Sequence, residues 1–497
     1  MSVNTKCQVF TPNRNVLHLL DYVEYTQDLY GKKVAENSCG DGSILAEIVK
    51  RYIVDCLNHK LSLAKIRKGL EEDIWGAEID KIHIGNCKSK LDIIASEYGL
   101  SNVNWNIFEG DFLKQNIIDS FDFVIGNPPY ITYKELDVTD RKYARENFCC
   151  CATGKFDYCY AFIEASIKSL KKRGKLAYLI PSNIFKNQFA LNLRNYILPY
   201  LTNIYDYKNQ KLFAGKLTAS AIIICDVGNP DLNITYHNLS EGKSFVIEKE
   251  ALKNKWIFKE STNKSHTPEL IRFGDYFHAA SSVATLLNEV YIISDFIEDD
   301  KYVTVKEHKI EKTLLREAVS PRALNYGKKE YIIFPYYYAE NGLLQKYSDS
   351  EFRKKFPYAV KYLLQFEKKL RDRNSDKGIN WFEYGRSQAL LHLNQDKLLI
   401  STLITGTVKV ASLNKNVIPT SGLYIVPKDN QDIFTLTTAK DILCSNLFLE
   451  YTKNIGVISN GNSFRISPKD INNFTFPVSL INKEDFDRRD GYVKDTV

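Results

Sequence analysis

Asn127-Pro128-Pro129-Tyr130 is where the side chains of this sequence could do chemistry, because it follows directly on Phe121-Asp-Phe-Val-Ile-Gly126, a run with the composition of a buried strand. Two consecutive prolines donate no ladder hydrogen bonds and each drives the preceding residue out of the helical region, so the strand must stop and the chain must stay extended. The Asn127 side-chain oxygen and the Pro128 carbonyl are then two acceptors side by side at a strand's C-terminal end, with the Tyr130 ring just beyond. Such a pair suits an aromatic exocyclic amine such as that of adenine, whose lone pair is delocalised into its ring. Two acceptors holding its two N–H groups draw the nitrogen towards tetrahedral geometry and free the lone pair for in-line attack. No proton has to leave first, so no strong base is needed. Tyr130 can stack on the ring. Read alone, the tetrapeptide could also be a turn after a strand.

Other chemically capable residues precede it at strand ends. Glu36-Asn-Ser38-Cys39-Gly40-Asp-Gly42 follows the short strand at Lys33 and opens a helix. Its glycines let backbone approach a ligand, and its acid can accept from an amine or hydroxyl. Asp73-Ile-Trp-Gly-Ala-Glu78-Ile79-Asp80 ends in carboxylates a few dozen residues later, roughly where an acid reaches ribose hydroxyls in a dinucleotide-type fold. Glu78 is chosen over Asp80, since the strand should end between them. A third strand ends in Gly110-Asp111-Phe112, where the acid could accept from an adenine amine and the ring could cover the base; Phe213, in a later loop, could reach the same pocket.

The elements that must position these residues alternate strand and helix through about residue 226, which predicts an α/β, Rossmann-like domain with a mostly parallel seven-stranded sheet and helices on both faces. Within it the pattern predicts a helix from about Arg14 to Tyr30, another ending in Lys171-Lys-Arg-Gly174, and a strand from Lys175 to Phe185. After Asn229 short strand-like runs replace the alternation, so residues 1–245 are read as the catalytic domain and 246–497 as an α+β domain. The composition, 26% charged and 44% hydrophobic over 497 residues, is that of a soluble multidomain protein, with no apolar run of membrane-spanning length and no signal peptide, which points to the cytoplasm. Ten cysteines show no metal-binding spacing, and no metal is expected. The net charge is +7, and the run from Arg353 to Lys377 is rich in Lys and Arg that could neutralise phosphates or face solvent.

Taken in order, Thr11-Pro12, Glu36 to Gly42, Glu78, Gly110-Asp111-Phe112 and Asn127 to Tyr130 resemble the amino-group DNA methyltransferases that use S-adenosylmethionine, specifically the N6-adenine enzymes of the gamma arrangement in type II restriction-modification systems. The resemblance covers about the first 230 residues; Phe273 to Ser294, Pro357 to Arg373, Ile379 to Gln388 and Ser463 to Pro477 are more weakly similar to the family's target-recognition domain. It implies that Thr11, Glu36, Cys39 and Gly40 line the methionine part of the cofactor, with Glu36 nearest its ammonium, that Ser38, Gly42 and Asn127 also bind the cofactor, that Glu78 takes the ribose and Asp111 the adenine amine, and that Ile79 and Phe112 lie against the ring. Asn127 and Pro128 would hold the target amine of an adenine flipped out of double-stranded DNA, with Pro129, Tyr130 and Phe213 around that base. Asn37 departs from the family, which often has proline there. Some relatives fuse a nuclease ahead of the methyltransferase; with only Met1 to Lys6 before the Thr-Pro segment, a cognate endonuclease is expected as a separate protein. Rival readings are a protein glutamine methyltransferase, an N4-cytosine methyltransferase and a DNA-specificity protein without catalysis. The C5-cytosine route requires a Pro-Cys nucleophile, and no such pair occurs.

Overall fold

The computed structural model describes residues 11–208, 210, 219–260, 270–428, 434–459, 463–477 and 480. The chain divides into two compact units, Met1–Asn263 and Lys264–Val497. No helix among the described residues is long and apolar enough to cross a membrane.

The first unit is built on one sheet. Its strands are β1 (Val34–Glu36), β2 (Ile74–Glu78), β3 (Asn106–Glu109), β4 (Phe121–Gly126), β5 (Leu170–Pro181), β6 (Leu201–Asp206), β7 (Ser220–Asp226), β8 (Asn233–Asn238) and β9 (Lys243–Glu248), in spatial order 3-2-1-4-5-7-6-8-9. Pairs β3–β2, β2–β1, β1–β4, β4–β5 and β6–β8 are parallel; β5–β7, β7–β6 and β8–β9 are antiparallel. Nine strands therefore replace the seven expected. The additional two are a hairpin whose inward residues, Ile234, Tyr236 and Ile247, are buried, and the 245 boundary falls inside its second strand. Trp256 extends the same core, stacking on Phe185 at 6.0 Å between centroids.

Alternation along the central strands feeds two cores. Val124 and Leu176 face one layer with α6 (Cys159–Ser169) and α7 (Leu191–Ile197), whereas Ile125 and Ala177 face the other. That second layer holds α1 (Asn13–Tyr22), α2 (Ser43–Asn58), α3 (Leu63–Asp73) and α4 (Lys81–Glu97). Ile44, Leu45, Ile48, Val49, Tyr52, Ile53 and Cys56 form the buried stripe of α2 at helical spacing. Each large aliphatic side chain so buried contributes about 1.5–3 kcal/mol. Three expected elements differ. The first helix ends at Tyr22, Lys171–Gly174 belongs to β5 instead of a helix end, and β5 stops at Pro181, with Ser182–Phe185 turning into a short 3-10 helix where a strand was expected to continue. α6 stops at Ser169, Leu170 pairs with Phe121, and the Lys171 ammonium reaches the Asp122 carboxylate at 2.6 Å, so tertiary pairing holds extended a segment whose local signals suit a helix terminus.

The second unit is mixed α and β, with several small sheets. Phe277–Ser281, Leu423–Pro427, Lys397–Ile400 and Val410–Leu413 form an antiparallel four-stranded sheet. An aromatic core surrounds Phe352, Phe356, Phe382 and Tyr384, with the Phe352 and Phe382 rings stacked at 4.0 Å.

Candidate active site

In the order 3-2-1-4-5 the chain leaves β1 in one direction and returns through β4 on its other side, so the C-terminal ends of β1 and β4 flank the switch point where open α/β sheets bind ligands. Glu36 ends β1 and Asn127 follows β4.

The glycine turn between β1 and α2 is fixed from three sides. Cys39 N donates to Ala77 O at 2.9 Å, and Gly42 N to Cys39 O at 2.8 Å. Gly40 and Gly42 have φ of 52° and 79°, the left-handed region. A Cβ on Gly42 would also run into the Cys87 thiol on α4, so this residue is required by packing as well as conformation. Lys90, also on α4, donates to Asp41 at 2.9 Å, and Asp41 accepts from the Ser43 hydroxyl at 2.7 Å.

The acids fall at different depths. Glu36 is buried and accepts from Leu45 N in the first turn of α2 at 2.9 Å; burial holds its carboxyl well above the usual range. Glu78 accepts from Gly40 N at 2.9 Å through one oxygen and from Ile79 N and Asp80 N at 2.9 and 3.0 Å through the other, which ties the end of β2 to the glycine turn. Asp80 instead caps α4, accepting from Ile82 N and His83 N. Asp111 accepts from Leu113 N at 3.0 Å, with the Lys114 ammonium 3.4 Å away. Ile79 is 54% exposed, whereas Phe112 is buried, 5.9 Å from the Trp75 ring and 6.2 Å from that of Phe162.

Around Asn127 the chain is held by both of the segments that precede it. Ser38 Oγ donates to the Asn127 main-chain oxygen at 3.3 Å, and Asn127 Nδ2 donates to Thr11 Oγ1 at 3.2 Å. The other end of the carboxamide, Oδ1, is buried and has no hydrogen-bond partner among the described residues. Pro128 is buried and Pro129 partly so. Tyr130 donates its phenol to Leu179 O on β5 at 2.8 Å, and burial pushes that phenol up, so it stays neutral. Asp157, which accepts from Cys159 N at 3.3 Å, is pushed by burial up to about 6. Phe213 lies outside the described residues.

Sequence reasoning missed a buried polar triangle under this site. Asn37 Nδ2 donates to Ser166 Oγ at 2.7 Å, Tyr178 Oη donates to Asn37 Oδ1 at 2.5 Å, and the Ser166 and Tyr178 hydroxyls are 2.6 Å apart. Tyr178 pairs in register with Gly126, the residue before Asn127. Asn37, the departure from the expected proline, is thus fully used in joining the glycine turn to α6 and β5. No local signal could reveal this, since its partners are more than a hundred residues away.

Part of the basic run is also spent inside the protein. Arg353, Lys369 and Arg371 pair with Asp349, Glu289 and Glu367. The Arg373 guanidinium donates to the carbonyls of Leu370, Thr285, Trp381 and Glu383 at 2.6 to 3.1 Å. Lys354, Lys361, Lys368 and Lys377 remain exposed, without an ion-pair partner among the described residues.

A mostly parallel sheet with carboxylates and a glycine turn at its switch point is an α/β arrangement in which open sheets bind ligands. Residues 46–213 match the model of the Eco57I restriction-modification methylase family. It is 24% identical over 373 residues to the type II restriction enzyme and methyltransferase RM.Eco57I of Escherichia coli, a match spanning 64% of this chain and 37% of that protein. It is 30% identical over 190 residues to the modification methylase CviBIII of Paramecium bursaria Chlorella virus NC1A, across 38% of this chain and 41% of that one. The chain thus spans less than half the length of these relatives. In fold it is similar to the type IIL restriction-modification enzyme MmeI, solved in complex with DNA, with a TM-score of 0.58 at 13% identity, covering 93% of this chain and 64% of that one. The DrdV–DNA complex gives a TM-score of 0.52 at 12% identity, covering 89% and 53%.

Proposed function

We propose that this chain transfers a methyl group from S-adenosylmethionine to N6 of an adenine turned out of double-stranded DNA, as the modification activity of a restriction-modification system in the cytoplasm. The observation that carries the reading is the Asn127 carboxamide, whose buried oxygen, beside Pro128 at the sheet's switch point, has no hydrogen-bond partner among the described residues. An orphaned acceptor of this kind costs about 1–3 kcal/mol, and a ligand amine repays it.

The residues present fit the cofactor. Glu36 is a buried carboxyl with one backbone donor, suited to an ammonium; Glu78 ends β2, suited to hydroxyls; and the glycine turn brings backbone close to both. When bound, S-adenosylmethionine supplies an electrophilic methyl on a sulfonium. Asn127 and Pro128 accept the two N–H groups of the target amine and orient its lone pair, and Tyr130, braced by its bond to Leu179, stacks on the base. Extruding the base costs roughly a few kcal/mol, which stacking and polar contacts offset. Alignment and exclusion of water then supply most of the rate. The second unit is proposed to read the target sequence.

The direct test is expression in a host that lacks adenine methylation, followed by sequencing that detects modified bases, alongside transfer assays with duplex DNA and with protein substrates. N6-methyladenine at a defined motif is the expected product. N4-methylcytosine, or labelling of protein alone, would replace this reading with a rival one. Asn127→Ala should bind S-adenosylmethionine nearly as well as the parent and transfer no methyl group.

A further inference from the structure

We infer that Thr11 is a positioning residue for the methyl acceptor and not a wall of the cofactor pocket: its hydroxyl holds the Asn127 carboxamide in the plane from which its oxygen faces the target amine. The inference rests on the amine-holding role of Asn127 proposed above. A carboxamide has almost the same shape either way round, so only hydrogen bonds determine whether oxygen or nitrogen faces the site. In the observed orientation Nδ2 donates to Thr11 Oγ1, and Oδ1 is the orphan. Turned over, the group would aim two unpartnered N–H bonds at an amine that itself brings two. Buried orphan N–H groups are rarer than orphan carbonyls, and donor would then face donor.

Thr11 can perform this task because it is anchored independently of the site. Pro12, at φ −59° and ψ 144°, fixes the chain leaving it, and Pro12 O accepts from Asn15 N at 2.8 Å and Val16 N at 3.1 Å in the first turn of α1. Val16, Leu19 and Leu20 hold α1 in the core. The Asn127 backbone is fixed separately, by Ser38 and by the proline that follows. With both ends restrained, one hydrogen bond across 116 residues of sequence sets the amide.

The test uses the full chain with Thr11→Val, which keeps the shape and loses the acceptor, and Thr11→Ser, which keeps the acceptor. Steady-state methylation of duplex DNA should show kcat lowered about tenfold or more in Thr11→Val. KM and Kd for S-adenosylmethionine should stay within about twofold, and Thr11→Ser should recover most of kcat. Weaker cofactor binding at unchanged kcat, or no change at all, overturns the inference while leaving the proposed function intact. A readout without turnover is NMR of selectively asparagine-labelled protein: the Asn127 side-chain amide should exchange with solvent more slowly in the parent than in Thr11→Val. Equal exchange in the two would also overturn it, even if the chain proved inactive on DNA.

Discussion

Tyr130 separates ring from hydroxyl at the scale of one residue. Its phenol makes one bond, to Leu179 O, while its ring is proposed to carry the base. Tyr130→Phe should therefore retain most activity, within about fivefold, because a single neutral hydrogen bond contributes about 1 kcal/mol. Tyr130→Ala should lower kcat/KM by about a hundredfold, since base–aromatic stacking alone is worth about 1–3 kcal/mol. The fluorescence of 2-aminopurine at the target position reports the same loss as reduced base extrusion. Asp157 gives a pH signature. Its folded-state value of about 6 exceeds the ordinary carboxyl value, so the stability it leaves intact in acid is lost as pH rises through 6. Asp157→Asn should be more stable than the parent above pH 6 by on the order of 1–2 kcal/mol, and equal to it near pH 4, by urea denaturation.

Elements are coupled through Glu36, which joins β1 to the first turn of α2, and through Asn37, which joins the glycine turn to α6 and β5 far away in sequence. Burial raises Glu36, so its contribution too is complete in acid and declines as pH climbs above the ordinary carboxyl range. Glu36→Gln should flatten that decline in thermal melts. A cationic ligand beside Glu36 favours its charged form, so S-adenosylmethionine should bind more tightly as pH rises, with release of a proton measurable by calorimetry in two buffers. Removing the Tyr178 hydroxyl leaves the Asn37 oxygen without that donor in a closed space; Tyr178→Phe should cost about 1–3 kcal/mol of stability. Sequence periodicity marked β1, β2, β4 and α2 because their apolar residues recur at strand or helix spacing. It misassigned Lys171–Gly174, where cations and glycine carry a helix-end signal that pairing with Phe121 overrides.

Across the whole chain, charge has to be divided between holding the fold and meeting a partner. Arg373 donates to four carbonyls, of which only that of Glu383 also accepts from a side chain, the Tyr291 hydroxyl, among the described residues; Arg373→Ala should destabilise the second unit by about 2–4 kcal/mol. Replacing Lys354, Lys361, Lys368 and Lys377 by Gln should leave melting nearly unchanged. If these lysines meet phosphates, the same replacements weaken DNA binding and reduce the slope of log K against log salt, by about 0.9 for each phosphate left unneutralised. An unaltered slope would assign them to solvent.

Strand-end acids, the glycine turn and Asn127-Pro128-Pro129-Tyr130 were legible in the sequence because proline, glycine and apolar periodicity act through the local backbone, and that local control also dictated the alternating α/β plan. The β8–β9 hairpin, the strand at Lys171, the Asn37–Ser166–Tyr178 triangle and the bond from Asn127 to Thr11 were decided only by tertiary structure. Each depends on groups brought together by packing, and a hydrogen bond between residues 11 and 127 leaves no periodic trace in either segment.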